Sequence, residues 1–190
     1  GEAEWVAPVT YLFSKTEKSD EVDGVDSEED SSAPRRRIEN VSTAALARRG
    51  LSEAEVRSRL MEKGFTEDQV APEIERLLAA GYLDDARLAE EVVRIESERK
   101  GKGRSAVVAE LKRRAIDPAD YADAIEHFDA ELEYEQARDL ASRKMRTLAS
   151  VDSQTAKRRL HGMLARRGYS GEVARNAIDA AMDRHADGVV

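Results

Sequence analysis

The sequence contains no cysteine, which removes disulfides, thiolate zinc sites and cysteine nucleophiles in one step and leaves nothing that points to an oxidising compartment. Aromatic residues are scarce as well, at 5% of 190 residues, and no segment alternates with a period of two for long, so an all-β architecture has little support. No apolar run approaches the roughly 18 residues of a membrane span, and the acidic start lacks the basic and apolar regions of a signal peptide. The expectation is a cytoplasmic protein with no membrane partner. Positive charge is also short overall: 31 Lys and Arg face 39 Asp and Glu, a net charge of -8, which at face value argues against nucleic acid.

That deficit is local. Residues 1–40 hold 11 acidic and 5 basic residues, whereas residues 41–190 hold 28 and 26. Glu17 to Pro34 is too poor in aliphatic residues to offset its ordering entropy, so residues 1–40 read as an acidic, largely disordered tail. Within it, Trp5 to Phe13 (WVAPVTYLF) reads as an unstructured terminus or a short docking segment, composition favouring the former. Arg35, Arg36 and Arg37 close the tail as a solvated junction.

From Ser42 onward apolar residues recur three and four apart among good helix formers, which predicts an all-α fold. One unit occurs three times: RLMEKGFT from Arg59, ELKRRAID from Glu110 and MLARRGYS from Met163, with Leu60, Leu111 and Leu164 spaced by 51 and 53 residues. Gly64, Ala115 and Gly168 fall just past a helix end, after Lys63, Arg114 and Arg167, whose charge complements the helix dipole. Phe65, Ile116 and Tyr169 fold back onto the three leucines, and Thr66, Asp117 and Ser170 cap the next helix. Ala115 departs from glycine, so the middle corner is open to a different construction. Val56, Val107, Leu160, Ile74, Ile125 and Ile178 mark buried faces.

A third helix precedes the corner in each unit. It is predicted from Asp84 to Lys100, with Leu88, Val92 and Ile95 on one stripe, and from about Glu133 to Leu148. In the first unit only Thr43 to Arg49 is available, followed by a capping box of Ser52 and Glu55, so that unit reads as truncated. The resulting organisation is repeat 1 at 41–83, repeat 2 at 84–130 and repeat 3 at 131–186, three tandem three-helix repeats forming an elongated curved array.

No chemistry can be assembled from this sequence. Gly101 to Ser105 (GKGRS) lacks the upstream glycine of a phosphate loop and follows a helix, so it reads as a flexible basic turn. His127, His161 and His185 share no metal-ligand spacing, and no nucleophile, base and orienting group occur together. The chain is read as no enzyme, with no metal and no cofactor. What remains is a set of basic clusters at helical corners: Arg48 and Arg49; Lys100, Lys102 and Arg104; Lys112 and Arg113; Lys157, Arg158 and Arg159; Arg166 and Arg167. These are the candidate partner- or DNA-binding residues. Such corners resemble DNA-binding helix-turn-helix units, but the helices that would enter a groove, from Asp117 and from Ser170, are acidic. The basic end of the preceding helix is the better contact. Phe65, Tyr82 and Tyr169 read as packing residues rather than a platform for bases.

The stretch from Ala45 to Val93, with GYLDD at Gly81 to Asp85, and the Lys-Gly-x-Gly turn at Lys100 to Gly103 resemble the RecX family of bacterial recombination regulators. The third unit is similar more loosely, through Arg158 to Ile178. Leu88 stands where the family usually has Phe, and Ser105 and Ala106 replace a more usual Pro-Arg region. The resemblance implies a monomeric negative regulator of the RecA recombinase, without an active site. Such a protein lies in the groove of the RecA-DNA filament, suppresses its ATP hydrolysis and strand exchange, and favours its disassembly. DNA is then met directly or through the filament. The alternative is an independent DNA-binding protein acting through the helix-turn-helix-like corners.

Overall fold

The computed structural model describes residues 29–186, and side-chain surroundings for residues 33–185. The expectations for Trp5 to Phe13 and for the acidic residues before Glu29 lie outside the described residues. All regular structure among the described residues is helical: α1 (Glu29–Leu46), α2 (Glu53–Glu62), α3 (Glu67–Ala79), α4 (Asp85–Arg94), α5 (Arg104–Arg113), α6 (Pro118–Glu126), α7 (Ala130–Arg146), α8 (Ser153–Arg166) and α9 (Gly171–Ala186). None of these helices is long and apolar enough to cross a membrane. They form three three-helix repeats, α1–α3, α4–α6 and α7–α9, each around its own cluster of buried residues. The chain divides into two compact units at Asp84 and Asp85, the first holding α1–α3 and the second α4–α9.

In the first unit α1 packs on α2 and α3. The helix expected at Thr43 to Arg49 instead begins at Glu29, so the first repeat is a complete three-helix unit and the tail boundary at residue 40 moves back. The reason is a polar residue in the core position. Ile38, Ser42 and Ala45 form the buried stripe of α1, and Ser42 is fully buried. Its hydroxyl donates to the Glu73 carboxylate, and Arg76 donates to both oxygens of that carboxylate at 2.8 and 2.7 Å. Burial pushes the Glu73 carboxyl up, but the hydrogen bonds from Arg76 and Ser42 outweigh it and hold it below its ordinary value. The arginine triplet belongs to this helix: Arg35 pairs with Glu39 at 3.2 Å, and Arg37 lies 5.3 Å above the Phe65 ring. Ser52 and Glu55 form the expected capping box on α2.

In the second unit α4 packs on α6, and α7 runs along α9. Helix α4 does not continue regularly to Lys100. After Arg94 the chain makes one π-helical turn, Ile95–Arg99, in which the Lys100 N–H donates to the Ile95 carbonyl at 3.1 Å. The buried position after Val92 is Glu96, one helical turn on, while Ile95 is half-buried. Asp117, Asp129 and Asp152 cap α6, α7 and α8 by accepting backbone N–H bonds at 2.8 to 2.9 Å.

The corner between the second and third helix of each repeat is a Schellman turn. The N–H groups of Phe65, Ile116 and Tyr169 donate to the carbonyls of Leu60, Leu111 and Leu164 at 3.3, 3.2 and 3.2 Å. All three of the returning side chains are buried, as are the three leucines. Tyr82 departs from the expected packing role: it is 49% exposed, and the neighbouring Leu83 is the buried residue. The middle corner is built like the others. Ala115 takes the left-handed conformation at φ 52, where Gly64 has φ 86 and Gly168 φ 84.

A side chain at positive φ costs roughly 1–2 kcal/mol, so the middle corner carries strain that the other two avoid. Ala115→Gly is expected to stabilise the chain by about 1 kcal/mol, read as a higher urea midpoint. At Gly64 an added Cβ meets nothing within 4 Å. Gly64→Ala should therefore lose a similar amount through backbone strain alone.

Candidate functional site

Surface arginines and lysines on helices engage a partner most readily where no intramolecular carboxylate competes for them. The structure separates the candidate residues on this criterion. Arg49 pairs with Glu55 at 3.0 Å, Lys157 with Asp179 at 3.1 Å, and Arg113 with Glu110, whose oxygen accepts from Arg113 Nε at 2.9 Å. Lys100 and Lys102 both close on the buried Glu96 carboxylate, at 2.6 and 2.5 Å. Burial pushes the Glu96 carboxyl up, and the bonds from Lys100 and Lys102 more than offset this, leaving it below the ordinary carboxylate value. The side chains of Arg48, Arg104, Lys112, Arg158, Arg159 and Arg166 are exposed and make no ion pair with another described residue.

The Lys-Gly-x-Gly turn is not a flexible loop. It is clasped, within the second unit, against the corner between α8 and α9. The Gly103 N–H donates to the Arg167 carbonyl at 2.9 Å and the Ser105 N–H to the Gly168 carbonyl at 3.1 Å. Tyr169 donates its buried phenol to the Gly101 carbonyl at 2.8 Å, and Arg167 reaches the Lys100 carbonyl at 3.4 Å. Burial raises the Tyr169 phenol above its usual value, consistent with a role as donor only. At the start of α5 the Arg104 N–H donates to Glu133 of α7 at 2.8 Å, so a carboxylate from another repeat occupies the positive end of that helix. Two glycines make the approach possible. A Cβ on Gly103 would lie 2.5 Å from the Gly168 backbone, and one on Gly168 would lie 2.3 Å from Ala106.

The basic residues around this turn thus divide. Arg167 reaches across the joint between the second and third repeats and Lys100 and Lys102 fasten the turn there to Glu96, while Arg158, Arg159 and Arg166 share the solvent side of α8. Glu96 and Glu133 were not among the sequence candidates. The four-residue spacing of Glu96 and Lys100 was a usable signal, whereas Glu133 acts across 29 residues and gave none. Among the described residues no group of His, Cys, Asp and Glu could hold a metal ion.

Sequence models of three domains match the chain in order: RecX, first three-helix domain, at residues 44–77; RecX, second three-helix domain, at 84–125; and RecX, third three-helix domain, at 131–178. Regulatory protein RecX of Amycolatopsis mediterranei is 38% identical over 133 residues, covering 70% of this chain and 76% of that protein. Regulatory protein RecX of Mycolicibacterium smegmatis is 33% identical over 174 residues, covering 88% and 90%. The crystal structure of RecX from Lactobacillus salivarius superposes with a TM-score of 0.73 at 19% identity, over 79% of this chain and 97% of that one, a likeness of fold.

Two outcomes follow from the clasp. Gly103→Ala forces its Cβ against the facing backbone and should destabilise the second unit by about 1–3 kcal/mol, measured as a lower denaturant midpoint. The folded-state carboxyl of Glu96 lies below its ordinary value of 4.5, so its contribution is present above that pH and is lost as the pH falls through the folded value. Stability should therefore drop in acid, and Glu96→Gln should lower the neutral-pH midpoint while flattening the acid limb of the stability curve.

Proposed function

This chain belongs to the RecX family, and from that membership we propose that it is a negative regulator of the RecA recombinase. In this reading it acts in the cytoplasm as a monomer, binds in the groove of the RecA-DNA filament, and inhibits ATP hydrolysis and strand exchange or promotes filament disassembly. The observation that carries the reading is the ordered match of all three family domains, which together span residues 44–178. It needs no cofactor and no active site, only contacts.

The physical means is avidity. The tandem repeats α1–α3, α4–α6 and α7–α9, each offering a few weak polar contacts to successive filament subunits, sum to a strong attachment that no single repeat supplies. The contacts are assigned to the basic corners, which meet acidic filament surfaces or DNA phosphates. The clasp at Lys100 to Gly103 supports this by fixing the second repeat against the third, so that ordering the two costs nothing further on binding. The alternative, an independent DNA-binding protein using helix-turn-helix corners, is disfavoured by the exposed carboxylates of the helices that would enter a groove, Asp117, Asp120 and Asp123 on one and Glu172 on the other.

Co-sedimentation with RecA filaments tests the reading. The chain should pellet with filaments assembled on single-stranded DNA in the presence of nucleotide and should slow their ATP hydrolysis. Absence from the pellet together with an unchanged hydrolysis rate would refute it.

A further inference from the structure

Gly162 stands in the middle of α8, where a glycine weakens a helix relative to alanine. Neither backbone nor packing calls for it. Its φ is not among the positive ones, and an added Cβ would meet only Nη1 of Arg166, at 3.4 Å, an ordinary contact. Gly103 and Gly168 differ in this respect, since a Cβ at either strikes backbone. Position 162 lies about 200° around the helix from both Leu160 and Leu164, which are fully buried, so it points away from the core.

On that outward side Gly162 is bracketed by Arg158 and Arg159 one turn before it and by Arg166 one turn after it. All three arginines are exposed, and none has a hydrogen-bond or ion-pair partner among the described residues. This sets them apart from Lys157 on the same helix, which is held by Asp179. The arrangement is a notch with a bare backbone floor and guanidinium walls, one of which, Arg166, already leans over the glycine.

We infer that this notch on α8 binds the sugar-phosphate backbone of nucleic acid. The inference deepens the proposed function and rests on its reading of the basic corners as contacts. A guanidinium offers a phosphate two parallel donors, and the missing side chain lets the phosphate approach the helix between them. An acidic protein surface fits less well, because arginine anchors in protein interfaces sit beside buried aromatic side chains in a desolvated patch, and this face offers none. The large exposed hydrophobics among the described residues, Met61, Leu78 and Tyr82, all belong to the first unit. The same absence removes any platform on which bases could stack. The notch therefore reads backbone charge, without sequence preference, on single- and double-stranded DNA alike.

The test is fluorescence anisotropy of the full chain on labelled 30-nucleotide single strands and duplexes across a salt series, with no RecA present. Wild type should bind both, with affinity falling steeply as salt rises. Changing Arg158, Arg159 and Arg166 together to Gln should reduce the duplex log-log salt slope by about 2–3 and the low-salt affinity more than about tenfold. Gly162→Leu keeps every charge, fills the notch and favours the helix. It should leave the thermal midpoint by circular dichroism unchanged or higher while lowering affinity about tenfold. Absent binding by wild type, or an unchanged slope and affinity in the triple variant, overturns the inference, as does Gly162→Leu binding like wild type. A triple variant that binds bare DNA normally but no longer slows RecA assigns the face to an acidic protein surface instead. Because RecA is absent from the binding assay, failure of wild type to slow RecA bears on the proposed function alone.

Discussion

One residue of left-handed backbone closes the corner between the second and third helix of every repeat, and the rest of each repeat hangs on that reversal. It points the N–H of the following residue back at a leucine carbonyl and turns Phe65, Ile116 or Tyr169 into the core beside that leucine. The third helix can then cover the stripe that the first two leave exposed. Small three-helix units have little core to spare, so an error in this turn would uncover a large share of it. Glycine meets the requirement at two corners. At the third, Ala115 adopts the same conformation against its preference, which means packing of Ile116 and the cap at Asp117 outweigh the local backbone cost.

The third corner does more than close its own repeat. The carbonyls of Arg167 and Gly168 accept from the turn between α4 and α5, so a device that ends one helix also receives the preceding repeat. Gly103 and Gly168 let two backbones touch, and side chains reinforce the contact from both directions: Tyr169 and Arg167 reach the turn, while Glu133 caps α5. Charge is sorted by the same geometry. Lysines at the joint are consumed by a buried carboxylate, whereas arginines one helical face away stay in solvent. A protein whose acidic residues outnumber its basic ones can in this way present positive charge at one place while being acidic overall.

Much of the fold was legible because helical periodicity and turn chemistry are local. The capping box at Ser52 and Glu55, the three corner leucines and the caps at Asp117 and Ser170 each announce themselves within four residues. Two of the departures share one cause, a polar side chain buried at a position that should be apolar. Ser42 hid the length of α1, and Glu96 hid the π-helical turn that ends α4. Both are buried because partners outside their own helical turn satisfy them: Glu73, 31 positions away, for Ser42, and Lys100 with Lys102, from the turn that follows, for Glu96. Tyr82 failed in the opposite sense, since an aromatic at a turn reads as core when the adjacent Leu83 takes that place.

The candidate surface shows where the division falls. The sequence by itself determined an all-α chain, three repeats at a spacing of about fifty residues, the corners that build them and the stretches of basic charge. Each of these depends on neighbours within a few turns of helix. Only the tertiary structure decided which bases are spoken for, because an ion pair between Lys157 and Asp179, or a carboxylate from Glu133 on the start of α5, joins residues 22 and 29 positions apart. It also decided that the Lys-Gly-x-Gly turn is a joint, since its partners are the carbonyls of Arg167 and Gly168 and the side chains of Arg167 and Tyr169, in a corner more than sixty residues away. Pattern along a chain records what a helix needs from itself, and the folded chain alone brings together the groups that quench or expose its charge.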